Sequence, residues 1–509
     1  METADFDVVV VGAGPTGLFL AAELSLYGCS ALVVERRAEP DPTIKAGSVG
    51  VLGAEALARR GLGARLDAEE AKMAAGMAEL AKATGGVNPI GQGLKKIGGH
   101  FGGLFLIDQS RQREPERRFR AIQQVALERY LGEHAQSRGV TVWRETELTS
   151  FGATEQGVEV ALTGAHGERR VRARYLVGCD GGRSRVRKLA GFEFPGTEPT
   201  MTGHQAIVTL DHPERLLPLG WRRTPRGMMA FGPVPGRIFM AQFEGPPPDR
   251  NAPVTREELE ASLRHVSGAD VRILEVQTAT RFTDNARQAT TYRLGRVLLA
   301  GDAAHVHSPF GGQGLNLGLM DACNLGWKLA ATVRGTAPPD LLDTYTAERH
   351  PVAAAVLENT RAQLALMRPD FATTALRTVV TQLMGTDDGN RYFGELISGV
   401  RARYDLGSDD PLVGCTAKNY ALAGGGSAFA LMAGGAALLV DGTGGAASAL
   451  CAPYAPRVTT APAPDGCSYL LRPDACVAWT SNDGCGSLDG LKSALERWFG
   501  APPTHSVAA

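Results

Sequence analysis

The first apolar run, residues 6–11 (FDVVVV), is continuous rather than alternating, the pattern of a strand buried on both faces of a parallel sheet. A glycine turn follows. Apolar positions from Leu18 to Tyr27 then predict a helix stopped at Gly28, and residues 31–35 (ALVVE) predict a second buried strand, which completes a βαβ unit. Residues 48–60 predict a helix ended by Gly61, and 121–136 an amphipathic helix. Several short strands are expected across 141–180, ending in ARYLVGCDG. The segment 75–103 is glycine-rich and weakly patterned and reads as a loop or an excursion into another domain. From 200 to 280 the pattern changes to apolar runs between Pro/Gly turns, which predicts an antiparallel sheet with a short helix at 255–265. Residues 296–329 combine an apolar strand, a Gly-Asp pair, a proline, a glycine-dense turn and a long helix, and helices continue to about 400. A linker at 405–426 leads to a compact α/β module at 428–509, with strands at 436–441, 467–473 and 476–480 and a closing helix at 488–499.

Composition narrows the picture. The 509 residues, 44% of them apolar, suffice for several domains with full cores. A net charge of -1 gives no electrostatic reason to expect nucleic acid or an anionic membrane as partner. The acidic start METADFD does not read as an export signal, and no apolar run reaches ~18 residues, so a cytoplasmic protein is expected. None of the eight cysteines forms a CxxC pair, which argues against a zinc ribbon or a redox dithiol and for reduced structural thiols. His305 and His307 alternate like metal ligands, but no third ligand is suitably spaced, and no metal is expected.

Two stretches carry chemistry. In Gly12-Ala13-Gly14-Pro15-Thr16-Gly17, Gly12 permits a tight turn, Gly14 lets a pyrophosphate approach the backbone, and Gly17 lets the helix pack on the strand. The helix N-terminus offers free N–H groups to a diphosphate. Glu35, 18 residues beyond Gly17, is placed to accept from ribose hydroxyls. NAD and FAD both fit this half. The second stretch is Arg296–Leu329. A strand that delivers one carboxylate and then a bare-backbone turn suits the other end of an elongated cofactor. The similar string at 441–447 (DGTGGAA) lacks a capping acid at the right distance and reads as a plain strand-to-helix turn.

Taken together, GAGPTG at 12–17, VVERR at 33–37, IKAGSV at 44–49, YLVGCDGGRSRVRKLAG at 175–191 and the 296–329 block resemble the class A flavin monooxygenases, the family of para-hydroxybenzoate hydroxylase, phenol hydroxylase and the aromatic polyketide hydroxylases. The resemblance covers residues 1 to about 400. YLLRPDACVAWT at 469–480 is similar to the thioredoxin-like tail of phenol hydroxylase and polyketide hydroxylases, with Ala475 and Thr480 where glycine and arginine are usual. The fold this implies is α/β: a Rossmann-like FAD-binding domain (1–74, 104–186, 277–400) interleaved with an antiparallel β-sheet substrate domain (75–103, 187–276), plus a C-terminal thioredoxin-like α/β domain (405–509).

The resemblance assigns roles residue by residue. Gly12, Ala13, Gly14, Pro15, Thr16 and Gly17 would flank the FAD diphosphate, with Glu35 and Arg36 at the adenosine end. Lys45 stands where the family has a diphosphate-contacting arginine, without arginine's bidentate fork. Gln124 matches a flavin-contacting glutamine. Asp180 links its strand end to the Gly301-Asp302 motif, or is an ordinary turn aspartate before Gly181. Asp302 would bind the ribityl or diphosphate region, and Pro309 would sit at the flavin's reacting face. The amides of Gly312, Gly314, Leu315 and Asn316 would bond the pyrimidine edge, where a helix dipole stabilises negative charge on reduced flavin. The basic run Arg183, Arg185, Arg187, Lys188 reads as a solvated helix face. Phe101, Met228, Phe231, Phe239 and Phe243, with Met229, supply apolar surface for a flat polycyclic substrate. Sheet alternation turns about half of such residues inward. Gly98, Gly99, Gly102 and Gly103 suggest an adaptable lid beside Phe101.

The implied reaction uses tightly bound, non-covalent FAD, NADPH or NADH as a transient co-substrate, and O2. A C4a-hydroperoxyflavin hydroxylates a polycyclic, polyketide-derived phenol, and the protein acts as a monomer or homodimer. The same adduct can give Baeyer–Villiger insertion, epoxidation, oxidative ring rearrangement or inactivation of an aromatic antibiotic. A flavin-dependent halogenase would carry WxWxIP, which is missing here. A flavoprotein that only sequesters an aromatic ligand would show no ligand-stimulated NAD(P)H oxidation.

Overall fold

A computed structural model describes residues 5–43, 45–83, 97–165, 167–232, 234–463, 466–481, 488 and 490–502, with the side chains of 77–83 and 97 outside the description. The central sheet has eight strands. Its main path runs Arg293–Leu294, Val297–Leu299, Gly167–Gly178, Phe6–Val11, Ala31–Val34, Thr141–Trp143. Five of these strands, from Val297–Leu299 onward, are mutually parallel; Thr146–Ala153 and Val158–Gly164 extend the sheet antiparallel off Gly167–Gly178. The apolar runs are buried; the helix Pro15–Leu26 packs on the sheet and the helix Gly314–Val333 packs on that helix. Glycines set that close crossing. A Cβ on Gly318 would fall 2.3 Å from Thr16 Oγ1, and one on Gly326 2.6 Å from Glu23 Cβ.

Register places the site. Val11 pairs with Gly178, and Gly178 with Leu299, so three neighbouring parallel strands end at the same level. Gly12, Cys179-Asp180 and Gly301-Asp302 therefore leave the sheet side by side at its carboxyl edge, where open α/β sheets bind ligands.

The second sheet is antiparallel, ordered Gly220–Thr224, Gly227–Phe231, Arg237–Gln242, Thr202–Leu210, Ile273–Phe282. The helix Arg256–Ser267, capped by Thr255, covers one of its faces. In the C-terminal module, Ala437–Asp441 runs parallel to Val458–Pro462 and antiparallel to Tyr469–Leu471, which pairs antiparallel with Val477–Thr480; the helix Leu491–Phe499 closes it. This is a thioredoxin-like arrangement. The turn at 441–447 is held by its own carboxylate: Asp441 accepts from Thr443 and Ser448 before the helix Ala446–Cys451.

Three sequence expectations change. Residues 75–83 are not loop but the end of a helix, Gly63–Ala83. Residues 48–49 form a two-residue strand against Arg120–Ala121, and the helix begins only at Val51. The boundary placed at 103 cuts a β-hairpin, Ile97–Phe101 with Leu104–Asp108, in two. That hairpin packs on the helices Phe371–Gly385 and Asp387–Ser398 rather than joining the second sheet. Gly102 and Gly103 make its tight turn with φ of 55° and 74°, as a two-residue hairpin requires.

Candidate flavin and substrate site

At the sheet's carboxyl edge the glycine turn is built as its spacing predicts. Gly12 has φ 107°, and a Cβ there would lie 2.4 Å from the Cys179 carbonyl oxygen. A Cβ on Gly17 would lie 2.0 Å from the Gly12 oxygen. Gly14 differs, since a Cβ there would meet no atom within 4 Å. Its neighbours form a helix start with no side-chain cap and Pro15 in the first turn, so the N–H groups of Thr16 and Gly17 have no helical acceptor. Thr16 contributes only that amide, because its hydroxyl is turned toward Gly301 and Gly318. The Glu35 carboxylate accepts from the backbone N–H of Ala13 (2.9 Å) and of Arg37 (3.0 Å), leaving lone pairs on both oxygens for a hydroxyl donor.

A cavity of about 410 Å³ opens here, lined by Gly12–Gly14, Glu35, Arg36, Lys45 and Asp180–Arg183. Lys45 is exposed and paired with Asp41 at 3.2 Å. Asp180 Oδ2 accepts from the N–H of Arg185 (2.6 Å) and Val186 (3.1 Å), which fixes the turn into the helix Arg185–Ala190. Its buried Oδ1 has no donor among the described residues. Gln124 holds the neighbouring segment: its N–H donates to Ala46 O, its Oε1 accepts from Ala46 N, and its Nε2 donates to Glu128. Burial raises the Glu128 carboxyl above the usual range. The basic run is not uniformly solvated. Arg187 is buried, lies over the Phe194 ring and donates to the carbonyls of Ala303 and Gly182 at 2.8 Å each.

The second end lies beyond Leu299. Asp302 and Pro309 are exposed on a stretch, 301–310, whose other residues are buried or half-buried. Gly311 and Gly312 have φ of 86° and 64°, and Gly312 N–H donates to Pro309 O. The helix Gly314–Val333 also lacks a side-chain cap. Gln313 faces away, donating to Leu396 O and accepting from Asn359, so the amides of Gly314, Leu315 and Asn316 are left for another acceptor. The Asn316 side chain fills the space over Gly50 and Gly53, where any Cβ would collide with it. His305 and His307 serve local structure: His305 Nε2 donates to buried Asp321 (2.7 Å), and His307 Nδ1 to Ser308 O.

Two uncapped helix starts, a bare Gly14, an orphaned carboxylate oxygen and a glycine-lined turn on one sheet edge suit a long diphosphate cofactor with a flat polar ring at its far end. A cavity of about 960 Å³ continues from Ser48, Gly50, Gly311, Gly312 and Asn316 to the hairpin residues His100 and Phe105 and on to the C-terminal module at Cys415–Lys418.

The aromatic surface is divided by strand alternation. Met228 and Phe239, with Phe243 beside them, gather with Met201, Phe282 and Phe310 on the face toward the Pro309 turn. Phe231 and Met229 point the other way and pack under Arg256–Ser267, so Phe231 is core and not substrate surface. Phe101 is also reassigned: its ring packs at a tilt on Phe393, centroids 4.6 Å apart, within a separate cluster containing Leu366 and Met384.

Sequence reasoning missed Trp221, which packs 4.4 Å from Phe239, and His100 and Phe105, which join it at the hairpin. Only Phe310, adjacent to Pro309, carried a signal. Burial brings the His100 imidazole down to about 4, so it is neutral near pH 7; Nδ1 accepts from Gly103 N–H, which places the proton on Nε2. Buried Gln363 accepts from Gly102 N–H and lays its Nε2 against Gly311 with no partner among the described residues.

Comparison with known proteins agrees with this geometry. The FAD binding domain family matches residues 5–360, and the aromatic-ring hydroxylase C-terminal family matches 410–502. The chain is 40% identical to the 12-dehydrotetracycline 5-monooxygenase/anhydrotetracycline 6-monooxygenase of Streptomyces rimosus, over 98% of this chain and 99% of that one. It is 40% identical to the rifampicin monooxygenase of Streptomyces venezuelae, over 97% and 99%. The solved structure of the OxyS anhydrotetracycline hydroxylase from Streptomyces rimosus superposes with a TM-score of 0.84 at 38% identity, covering 98% of this chain and 99% of that one. Likeness of this extent along both chains settles the family: the protein is one of the FAD-dependent, NAD(P)H-consuming aromatic monooxygenases.

Proposed function

We propose that this monooxygenase hydroxylates a polycyclic aromatic phenol of polyketide type. The observation that carries the reading is the cavity of about 960 Å³ that runs from Gly311, Gly312 and Asn316 to His100 and Phe105, whose rings pack on Trp221 at the edge of the aromatic cluster of Phe239, Phe282 and Phe310. That shape suits a flat multi-ring ligand with few polar anchors. The anhydrotetracycline and rifampicin relatives support the size class.

FAD would lie along the sheet edge, its diphosphate on the 12–17 turn, its ribose at Glu35, and its ring against Pro309 and the amides of Gly314, Leu315 and Asn316, the Gly312 N–H being held by Pro309 O. When bound and reduced by NAD(P)H, it supplies activation of O2. The chain's own work is positioning and exclusion of water. His100, which lines the cavity, would offer its Nε2–H to a phenolic or carbonyl oxygen. Gly314–Val333 directs its positive end at the pyrimidine edge. The free thiols support a reducing, cytoplasmic setting.

The test is incubation of holoenzyme with NADPH, air and a panel of polycyclic phenols including anhydrotetracycline, followed by mass spectrometry. Ligand-stimulated NADPH oxidation with a product heavier by one oxygen is expected. NADPH oxidation that no panel member accelerates would overturn the substrate class. Product connectivity separates hydroxylation from ring insertion and from inactivation of an antibiotic of the rifampicin kind.

A further inference from the structure

The turn from Gly301 to His305 presents Asp302, and one buried carboxylate holds both of its ends. Asp321 Oδ2, on the helix Gly314–Val333, accepts from Gly301 N–H at 2.9 Å and from His305 Nε2 at 2.7 Å. Arg187 secures the middle through Ala303 O. The other Asp321 oxygen accepts from Arg349 Nε at 2.7 Å. Arg349 also donates to Leu317 O and to the Tyr404 hydroxyl, both at 3.1 Å. The preceding residue on the helix Thr344–Met367, Glu348, is gripped by both ends of the Arg472 guanidinium at 2.8 Å. Arg472 belongs to the C-terminal module and is held in turn by Asp474. Lys328 and Asn324 complete the cluster on Glu348. Every charged member is buried, and the charges cancel: Asp321 against Arg349, Glu348 and Asp474 against Lys328 and Arg472.

We propose that Asp321 and Arg349 are positioning residues for FAD, and that the C-terminal module acts on the cofactor through them. The chain of contacts runs from Arg472 and Tyr404 through the Glu348-Arg349 pair to Asp321 and so to the turn that carries Asp302. A buried charge network has few alternative arrangements, so it transmits a fixed geometry where a surface pair would not. This gives the module, which lacks a CxxC pair, a function in the flavin site. The inference rests on the reading that Asp302 faces FAD.

The experiment measures FAD dissociation constants by titration of apoprotein, the visible circular dichroism of bound FAD, and the thermal midpoint of the apoprotein. It compares wild type with Asp302→Ala, Asp321→Asn and Tyr404→Phe. Tyr404→Phe removes one hydroxyl and keeps the packing. We expect FAD affinity to fall about tenfold or more in Asp321→Asn and about threefold in Tyr404→Phe, in line with the loss of bonds to charged groups. The flavin dichroism changes in both, while the Tyr404→Phe apoprotein melts only slightly lower, by the one bond to Arg349 that it loses, and is folded at the temperature of the titration. Wild-type affinity and dichroism in Tyr404→Phe would overturn the relay, also if Asp321→Asn does not fold. If Asp302→Ala binds FAD like wild type, the underlying site reading fails; if only Asp302→Ala weakens FAD, the relay alone fails.

Discussion

At the scale of single residues, the three glycines of the first turn have separable duties. Gly12 and Gly17 are bare because protein atoms stand where a Cβ would go, whereas Gly14 is bare toward open space. Its backbone, φ -74° and ψ 177°, is one any residue adopts. Gly14→Ala is therefore expected to fold with an unchanged melting temperature and to lose most of its FAD, because the methyl occupies the path of the diphosphate. Gly17→Ala is expected to lose about 3 kcal/mol of stability through overpacking. Denaturant titration of the apoproteins with FAD quantitation checks both; FAD at wild-type content in Gly14→Ala would remove the diphosphate from this turn. These glycines were legible in the sequence because each answers to a local backbone demand. Phe231 was not. All five residues of Gly227–Phe231 are buried, so hydrophobicity gives the period of alternation and not its phase. The phase was set by Arg256–Ser267 arriving from elsewhere in the chain.

Among elements, the hairpin at 97–108 shows how propensity and environment divide the evidence. Gly63–Ala83 is mostly exposed along its described first half, so no apolar stripe marks it, and only its Ala/Glu/Lys content favours a helix. The hairpin that follows is glycine-rich because its tip is wedged tightly. A Cβ on Gly102 would meet Leu366 at 2.9 Å, and one on Gly103 would meet the Met228 methyl at 2.9 Å. Its Phe101 packs against Phe393, Leu366 and Met384, an anchor that would hold it as a wall of the cavity. Phe101→Ala removes the anchor at a cost of about 3 kcal/mol. Because Phe101 lies outside the aromatic face, FAD content should be retained. Amide exchange across 97–108 should quicken, and the share of NADPH oxidised to peroxide should rise as water enters. Unchanged exchange and unchanged peroxide yield would show that the hairpin is not held by this residue.

Across the whole molecule, the C-terminal module and the FAD-binding part share a buried ion network and an apolar contact in which Trp327 and Leu341 join the module's core. Separating them would break the two-point bond between Arg472 and Glu348 and leave the Lys328–Glu348 and Arg472–Asp474 pairs each short of a buried partner, which is unfavourable. The two parts should therefore unfold as one unit, although the sequence, with its linker at 405–426, reads as two. Its pH dependence follows from groups the fold keeps uncharged. Burial pushes the thiols of Cys29, Cys323 and Cys451 each up to about 12. An acid whose folded pKa is raised stabilises the fold below its unfolded value near 9, and that contribution is lost as pH climbs from 9 toward 12. Burial acts oppositely on Lys328, bringing it down to about 8 against the pull of Glu348, so between pH 8 and 10.5 this amine favours the fold increasingly as pH rises. Each group contributes at most about 1.4 kcal/mol per pH unit, so three thiols outweigh one amine. Calorimetry should show a single transition whose midpoint is level or slightly rising from pH 8 to 9 and falls steadily from 9 to 10.5. Two resolved transitions would contradict the shared core, and a midpoint that keeps rising to pH 10.5 would mean that the thiols already ionise in the folded protein.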